Sequence, residues 1–434
     1  MGRATDREIL RLAFPAFLAL VAEPLFLLAD SAIVGHLGTV ELAGLGVAGV
    51  VLQTVVGLCV FLAYGTTAGV ARRLGAGDLR GAIAQGVDGL WLAVVIGVVV
   101  TVPVMIAAGP LVEAVGADGE VAEQGTTYLR LAVLGVTPLL LMLAANGVLR
   151  GLQDTRTPLV VAVGGNLLNV VLNLALVYGV GLGIAGSALG SVLAQAASAA
   201  ALVAVVVRGA RRHGSSLRPD LAGIRSAARA AVALVVRTLT LRVALLVTTY
   251  AVTLSSSAQA DSLAAHQIAF TLWTFLSFVL DAIAIAAQAL TGRALGAGDI
   301  ATTRVLTARM IRWGVVSGVV TGLGLAATSP FLGHLFTDSA EVMDLLVPVL
   351  LVAAAGQPIA GVVFVLDGVL IGAGDGRYLA FAGLVPLVVY APMVLVWHPS
   401  LLVVWVFFSA VFMGARLVVL VSRERGDRWL VTGS

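Results

Sequence analysis

Two acidic residues, Glu23 and Asp30, lie within an otherwise apolar stretch, VAEPLFLLADSAIVG (21–35). They are seven residues apart, so in an α-helix they project from nearly the same face. A charged side chain at the centre of a bilayer costs about 2.5–3.5 kcal/mol on insertion scales, and such residues mark ion pathways and proton relays. Burial favours the neutral form of a carboxyl group. We therefore predict that Asp30 and Glu23 couple proton movement to function.

Pro24 directly follows Glu23. A proline within a helix removes one backbone hydrogen bond and is a common cause of helix bends. We therefore predict that Pro24 is a hinge in this helix. An alternative stays open, in which each carboxyl group only hydrogen-bonds a neighbour and Glu23 supports the bend.

A second polar set, Asn166, Asn169 and Asn173, lies in a later apolar stretch at positions i, i+3 and i+7. These spacings place the three amides on one helix face. We predict that they meet Asp30 in a polar pocket, and that Ser191 of the following stretch lines the same pocket. The alternative is that the amides only join neighbouring membrane helices through hydrogen bonds.

The composition indicates that these stretches cross a membrane. Of the 434 residues, 60% are hydrophobic and 11% are charged, whereas about 25% charged residues are usual in soluble domains. A spanning helix needs about 20 apolar residues. We predict an all-α integral membrane protein with twelve spans, at about 10–35, 42–70, 84–109, 123–149, 157–179, 184–207, 230–255, 262–291, 305–328, 342–371, 378–397 and 400–421.

The distribution of arginine predicts the orientation. Loops on the cytoplasmic side of a membrane protein are enriched in basic residues. The interval 208–229 holds six arginines, whereas the alternate loops near 36–41, 110–122, 180–183, 256–261, 329–341 and 398–399 hold none. We therefore predict a multi-pass protein of the cell (inner) membrane with both termini in the cytoplasm.

The chain also contains an internal repeat. LGAGD occurs at 74–78 and at 295–299, an offset of 221 residues, and at this offset 146–156 and 367–377 match at six of eleven positions. Six spans per copy give both copies one orientation, so we predict two six-helix bundles related by a pseudo-two-fold axis along the membrane normal. The predicted domains are an N-terminal lobe (1–207), a cytoplasmic linker (208–229) and a C-terminal lobe with a short tail (230–434).

The second copy carries acids that the first lacks. Asp367 takes the place of Asn146, and Asp281 takes the place of Val60. We predict that Asp367 and Asp281 form a cation or substrate site, while the first copy handles the coupling ion. For Asp281 the alternative is an ion pair with Arg242 or another buried donor.

Several other kinds of site have no support in the sequence. GLGIAG (181–186) has the glycine spacing of a dinucleotide-binding loop, but it links two membrane helices without a preceding strand. No phosphate-loop lysine, HExxH motif or His/Cys cluster spaced for a metal is present. We therefore expect no enzymatic activity, no metal and no cofactor, and the scattered arginines do not predict a nucleic-acid partner.

Four stretches together resemble the multidrug and toxic compound extrusion (MATE) family, in particular its DinF-like branch. They are EPLFLLADSAIVGHLGTVELAGLGVAG, GVLRGLQDTRTPL, SLAAHQIAFTLWTFLSFVLDAIAIAAQALTGRALGAGD and LDGVLIGAGDGRYL. The likeness runs from about residue 8 to residue 425. It implies a monomeric, cation-driven antiporter that exports organic, often cationic or amphipathic compounds by alternating access.

The resemblance also implies roles for individual residues. In related proteins the aspartate that matches Asp30 is the proton-linked residue, and the pair matching Asn169 and Asn173 lies beside it. Some relatives have an aspartate where this chain has Asn173, so a scheme with two aspartates in this lobe does not apply here. The carboxylate that matches Asp367 is assigned to cation or substrate binding in other branches.

Alternatives to proton-coupled export remain. Sodium could replace the proton as the coupling ion. A lipid-linked oligosaccharide flippase would share the architecture, but a cationic central cavity is expected for it, and these spans carry acids in preference to arginines. An intramembrane enzyme or a passive channel has no supporting motif. The expected partners are small organic substrates and membrane lipids.

Overall fold

The computed structural model of the protein describes residues 2–254, 259–397 and 399–433, and these are helical apart from short turns. Within these ranges twelve helical segments are long and apolar enough to cross a bilayer. The predicted all-α membrane fold and its twelve spans are therefore confirmed. Helices form here because backbone polar groups in hydrocarbon must bond within their own segment. The predicted outer loops at 256–261 and 398–399 lie partly outside the described residues.

The chain divides into two compact units. The N-terminal unit comprises Leu18–Ala231, and the C-terminal unit comprises Val232–Gly433 together with the residues up to Phe17. The predicted lobe of residues 1–207 thus differs from the N-terminal unit at its start. The reason is a set of polar contacts, because Asp6 accepts hydrogen bonds from Arg309 and from Nε1 of Trp313, the latter at 2.8 Å.

The described part of the chain with the first six spans contains nine helices, of which eight carry the spans and a short one, the fifth, lies between the third and fourth spans. They are α1 (Gly2–Gly35), α2 (Thr39–Leu58), α3 (Phe61–Gly75), α4 (Leu79–Ile106), α5 (Ala108–Ala114), α6 (Gly119–Ala132), α7 (Val136–Gly151), α8 (Arg156–Leu174) and α9 (Gly183–Arg212). The second span is broken between α2 and α3. A 3₁₀ turn at Val133–Gly135 joins α6 to α7, and α8 ends in a π-turn at Ala175–Gly179.

Seven helices carry the last six spans. They are α10 (Leu221–Leu254), α11 (Gln259–Gly296), α12 (Ile300–Leu332), α13 (Ala340–Gly372), α14 (Gly376–Trp397), α15 (Leu401–Val406) and α16 (Met413–Arg425). A π-turn at Phe407–Phe412 joins α15 to α16 within the last span. π-Turns inside membrane helices often occur at functional sites.

The linker predicted at 208–229 is shorter in the structure. Because α9 continues to Arg212 and α10 begins at Leu221, only residues 213–220 connect them. Five of the six arginines of this interval lie on the ends of α9 and α10, where an arginine can keep its charge in water, and Arg218 lies in the connection. The connection is bonded to α4, since Asp88 accepts from the backbone N–H of Asp220 at 3.0 Å.

The LGAGD motifs form matching tight turns. Gly77 and Gly298 have φ angles of 78° and 75°, the left-handed region that favours glycine. The following aspartates begin α4 and α12, because Asp78 accepts from the N–H of Gly81 at 2.7 Å and Asp299 accepts from that of Thr302 at 2.9 Å. Hydrogen bonds from Thr302 hold the pKa of Asp299 below its usual range.

The repeat is also present in the packing of each unit. A Cβ atom at Gly147 would lie 2.6 Å from the carbonyl oxygen of Ala63, so α7 and α3 approach closely. In the C-terminal unit a Cβ atom at Gly368 would lie 2.4 Å from the carbonyl oxygen of Ala284. Adding 221 to 147 and to 63 gives 368 and 284. The same glycine-dependent helix crossing therefore occurs in both copies, as small residues allow in membrane proteins.

Candidate functional site

Asp30 lies near the end of α1 and is 3% exposed. The helix that faces it, α8, has two different sides. Asn169 and Asn173 are fully buried on one side, whereas Leu167 and Val171 are more than half exposed on the other. This pattern, with polar groups inside and an apolar stripe outside, is typical of a membrane helix that contributes to a functional site.

Three side chains donate hydrogen bonds to the Asp30 carboxylate. The amide of Asn173 donates to Oδ1. The hydroxyl of Ser191 donates to Oδ2 at 3.1 Å, and that of Tyr128 donates to the same oxygen at 3.4 Å. No arginine bonds the carboxylate among the residues that the structure describes. Asp30 is thus a buried acid held by neutral donors.

Asn169 extends this cluster by one step. Its amide nitrogen donates to Oγ of Ser191 at 2.9 Å, and Asn173 makes a longer contact with its Oδ1 at 3.4 Å. The predicted meeting of Asp30 with Asn169, Asn173 and Ser191 is therefore present in the structure. We call these four residues and Tyr128 the Asp30 cluster.

Tyr128 was not predicted from the sequence. It lies on α6 and is 5% exposed, and it belongs to the apolar core of the N-terminal unit. Tyr128 is a single tyrosine among polar residues near the start of the predicted fourth span, and no periodic pattern there points to a partner. The only available signal is general, because the hydroxyl of a buried tyrosine usually finds a hydrogen-bond partner.

Glycines on α9 let the cluster form. A Cβ atom at Gly190 would lie 2.0 Å from Oδ1 of Asn173, and one at Gly186 would lie 2.8 Å from the backbone of Leu176 in the π-turn. Only the absence of a side chain at these positions lets α8 and α9 pack this closely. Oδ1 of Asn173 and Oγ of Ser187 are buried beside this contact, and neither oxygen has a hydrogen-bond partner within the described part of the chain.

Asn166 does not join the cluster, contrary to the prediction. Its amide donates instead to the backbone carbonyl of Ala22 at 2.6 Å. The hydroxyl of Tyr178 similarly donates to the carbonyl of Ile33 at 2.6 Å. Two side chains of the fifth span thus bond the backbone of α1, one on each side of Asp30. A bond from a side chain to a distant backbone carbonyl leaves no periodic signal in the sequence.

Glu23 is exposed and bonds none of the cluster residues in the part of the chain that the structure describes. Pro24 is half-buried, and α1 remains one continuous helix through it. The carboxyl groups of Glu23 and Asp30 therefore occupy different surroundings, although they share a helix face. The hinge at Pro24 and the coupling role of Glu23 stay predictions.

The second predicted site is an ion-paired cluster. Asp367 on α13 is 5% exposed, and its Oδ2 accepts hydrogen bonds from Arg237 of α10, at 2.8 Å, and from Arg416 of α16. Two guanidinium groups thus neutralise the carboxylate within the C-terminal unit. This arrangement does not favour the predicted cation site, because a bound cation would have to compete with both arginines.

Asp281 belongs to the same surroundings. It is half-buried on α11 and interacts electrostatically with Arg416. The structure therefore supports the alternative that Asp281 pairs with a buried donor, and Arg416 is one such donor. Two acids and two arginines come together here, so the charges of the cluster balance.

Comparison with known proteins gives a consistent result. The family model MatE matches residues 15–175 and 228–396. Protein DETOXIFICATION 44, chloroplastic, of Arabidopsis thaliana is 32% identical over 395 residues, which cover 86% of this chain and 73% of that protein. DNA damage-inducible protein F of Escherichia coli (strain K12) is 30% identical over 302 residues, which cover 68% of this chain and 65% of that protein.

Solved structures show the same fold. One described as the outward-facing conformation of a multidrug resistance MATE family transporter of the MOP superfamily has a TM-score of 0.86, at 22% identity, and covers 96% of this chain and 95% of that one. Another, of MATE in the bent conformation, has a TM-score of 0.84 at 21% identity and covers 96% and 93%. At these identities the likeness establishes the fold.

Proposed function

Because this chain belongs to the MatE family of membrane transporters, we propose that it exports organic, often cationic or amphipathic compounds in exchange for protons. The chain is a multi-pass membrane protein of an efflux family, not an enzyme. The observation that supports proton coupling is the Asp30 cluster, in which a buried carboxylate is held by neutral donors. The arginine-rich predicted inner loops support a place in the cell membrane with both termini in the cytoplasm.

The hydrogen bonds of Asp30 suggest how a proton changes the cluster. A carboxylate only accepts hydrogen bonds, whereas a protonated carboxyl group also donates one. Oδ1 of Asn173 is a buried acceptor that has no partner within residues 2–254, 259–397 and 399–433. Rotation of the Asn173 amide would present this oxygen to a protonated Asp30. The pair would then exchange donor and acceptor roles, so each protonation state has its own hydrogen-bonding pattern.

This exchange would act on α1. The helix is bonded to the fifth span through the carbonyls of Ala22 and Ile33 as well as through Asp30. When protonation changes the central bond, α1 repositions about Pro24 and the polar pocket of the N-terminal unit closes. Cargo that binds the open pocket is then released outward. The proton and the cargo favour different states of one equilibrium, which is the requirement for exchange.

Protons are favoured over sodium by the direction of the donors. Nδ2 of Asn173 and the hydroxyl of Ser191 both point hydrogen atoms at the carboxylate. A sodium ion at Asp30 would need several oxygen ligands at once, so Asn173, Ser191 and Tyr128 would all have to turn their oxygen atoms toward it, and the cluster has a single carboxylate to offset its charge. A proton needs only one oxygen of Asp30 and one acceptor beside it.

The flippase alternative needs buried positive charge. Contrary to the sequence-based argument, the last six spans do contain buried arginines, since Arg416 is 6% exposed and Arg237 lies beside it. Both are bonded to Asp367, and Asp281 is close to Arg416. Because these acids balance the arginines, the cluster offers no net positive site for a pyrophosphate. We therefore retain export as the proposed function.

The test is transport in proteoliposomes with independently imposed proton and sodium gradients. A proton gradient alone should drive export of a fluorescent organic cation, and Asp30→Asn should abolish this. Asp88→Asn is the matched control, because Asp88 is also a buried acid of the N-terminal unit, but it bonds the connection between the units. Export driven by sodium alone would reject proton coupling, and wild-type export by Asp30→Asn would reject the role of Asp30.

A further inference from the structure

A groove outside the Asp30 cluster lies where α3, α4, α7 and α9 come together at one end of the N-terminal unit. Its volume is about 470 Å³. The residues that define it fall into an apolar floor and a basic rim. The floor includes Ile83, Val148, Leu149, Val205 and Val206, and the rim consists of Arg208, Arg212 and His213. We call it the arginine-rimmed groove.

The floor suits a hydrocarbon chain. Three helices contribute buried residues to the floor: Ile83 lies on α4, Val148 and Leu149 lie on α7, and Val206 lies on α9. Among the described residues, no acidic side chain lines the groove. An apolar slot between membrane helices can hold the acyl chain of a lipid, and a basic rim at the end of the slot can hold its anionic headgroup.

The rim suits an anion. Arg208 and Arg212 are one turn apart on the last part of α9, and both are exposed. Neither has a hydrogen bond or ion pair in the part of the chain that the structure describes, whereas the nearby Arg73 pairs with Asp78 at 3.5 Å. Two adjacent guanidinium groups that are not neutralised by a carboxylate form a strong site for a phosphate group.

A second cavity in the same unit has the opposite polarity. It is lined by Glu113, Asp118 and Glu123, with Arg130 as its basic residue. It lies between α5 and α6, in the part of the chain that the sequence assigns to the outer side. Basic residues thus line the cavity on the side assigned to the cytoplasm, where a membrane carries its anionic lipids.

We propose that the arginine-rimmed groove binds one anionic phospholipid of the cytoplasmic leaflet. Its phosphate group lies between Arg208 and Arg212, and one acyl chain lies along the floor. The apolar floor distinguishes a lipid from a free phosphate ester, which would contact the rim alone. The assignment of this lipid to the cytoplasmic leaflet rests on the proposed orientation. The binding of the lipid depends on neither the orientation nor the transport mechanism.

Binding can be measured by native mass spectrometry of the purified chain in detergent, titrated with phosphatidylglycerol, phosphatidylcholine or glycerol phosphate. Phosphatidylglycerol should bind as a single resolved lipid, and Arg208→Gln/Arg212→Gln should weaken it about 25-fold, since one basic residue near a membrane surface contributes about fivefold. Arg211→Gln is the matched control, because Arg211 is exposed on the same helix end but does not line the groove. Its affinity should stay within about twofold of the wild type.

A second variant tests the floor separately. Val205→Trp fills the groove and leaves both arginines in place, so it should weaken phosphatidylglycerol binding without a change in thermal stability. Three results would overturn the proposal: equal affinity of the double variant and the wild type, equal losses in Arg211→Gln and the double variant, or equal binding of glycerol phosphate and phosphatidylglycerol. Transport activity is not needed as a readout, so failure here leaves the proposed function untouched.

Discussion

Asn173 donates a hydrogen bond to Asp30 across 143 residues of sequence, and its own amide oxygen is buried with no partner among the residues that the structure describes. In one orientation the amide can donate a hydrogen bond to a carboxylate, and in the other it can accept one from a carboxylic acid. This property gives the cluster two well-defined states. It also makes the position of Asn173 critical, and the helix α9 sets that position.

Gly190→Ala should strongly reduce transport without unfolding the protein. The new Cβ atom would lie 2.0 Å from Oδ1 of Asn173 and would displace the amide from Asp30. Loss of one buried hydrogen bond to a charged group corresponds to about 1.5–3 kcal/mol, or roughly a 10- to 100-fold lower rate. The rate of dye export by proteoliposomes measures the effect.

Gly209→Ala is the control for this substitution. Gly209 lies on the same helix, and a Cβ atom there would have no atom within 4 Å. Its transport rate should equal that of the wild type, because alanine fits a helix better than glycine does. Equal rates for Gly190→Ala and Gly209→Ala would show that the position of Asn173 does not matter.

Ser191→Ala should reduce transport more than Tyr128→Phe does. Ser191 donates to Asp30 at 3.1 Å and also accepts from Asn169 at 2.9 Å, whereas Tyr128 makes one longer bond of 3.4 Å. We expect a loss of about tenfold for the serine variant and about two- to threefold for the tyrosine variant. Initial export rates at one fixed proton gradient give the order, and the reverse order would contradict the geometry.

Asp367→Asn should destabilise the C-terminal unit. The substitution removes the carboxylate that Arg237 and Arg416 both bond, so Asp281 alone faces two arginines, and loss of one partner from a buried ion pair costs about 3–5 kcal/mol. The midpoint of thermal unfolding in detergent should fall. Asp367→Asn/Arg237→Gln should recover part of this loss, because it removes one uncompensated charge. A midpoint unchanged by Asp367→Asn would show that the cluster is not structural.

Asp299→Ala should lower stability in a pH-dependent way. The pKa of Asp299 lies below its usual range in the folded chain because of its bonds to Thr302. The ionised cap therefore stabilises the fold above the pKa of the unfolded chain, and this contribution is lost as the pH falls through the folded pKa. The difference between the wild-type and variant unfolding midpoints should be present at pH 7 and shrink in acid. A difference independent of pH would contradict this origin.

The features that could be predicted from the sequence are those that follow from apolar length, helical spacing or the internal repeat. The twelve spans follow from apolar length, and the i, i+4 spacing of Asn169 and Asn173 correctly places both on the face that meets Asp30. The offset of 221 residues predicted matching turns, which Gly77 and Gly298 form.

Other features depend on tertiary packing and were not accessible. Tyr128 on α6, a helix that packs against α9, reaches Asp30 on α1 only in the folded chain. Asp367 on α13 pairs with Arg416 on α16. The spacing of residues within one helix does not indicate which residue of another helix will be the partner of its charged side chain. The six arginines of 208–229 indicated a polar linker between the two halves of the chain. Their number could not show that α9 continues into this interval as far as Arg212.

The central claim is that a proton and the cargo alternate at one cluster around Asp30. Substrate-induced proton release from the purified protein in weakly buffered detergent solution tests it most directly. The account predicts release of about one proton per bound substrate from the wild type, as competition for one equilibrium requires, and none from Asp30→Asn. Equal proton release by the wild type and Asp30→Asn would contradict it.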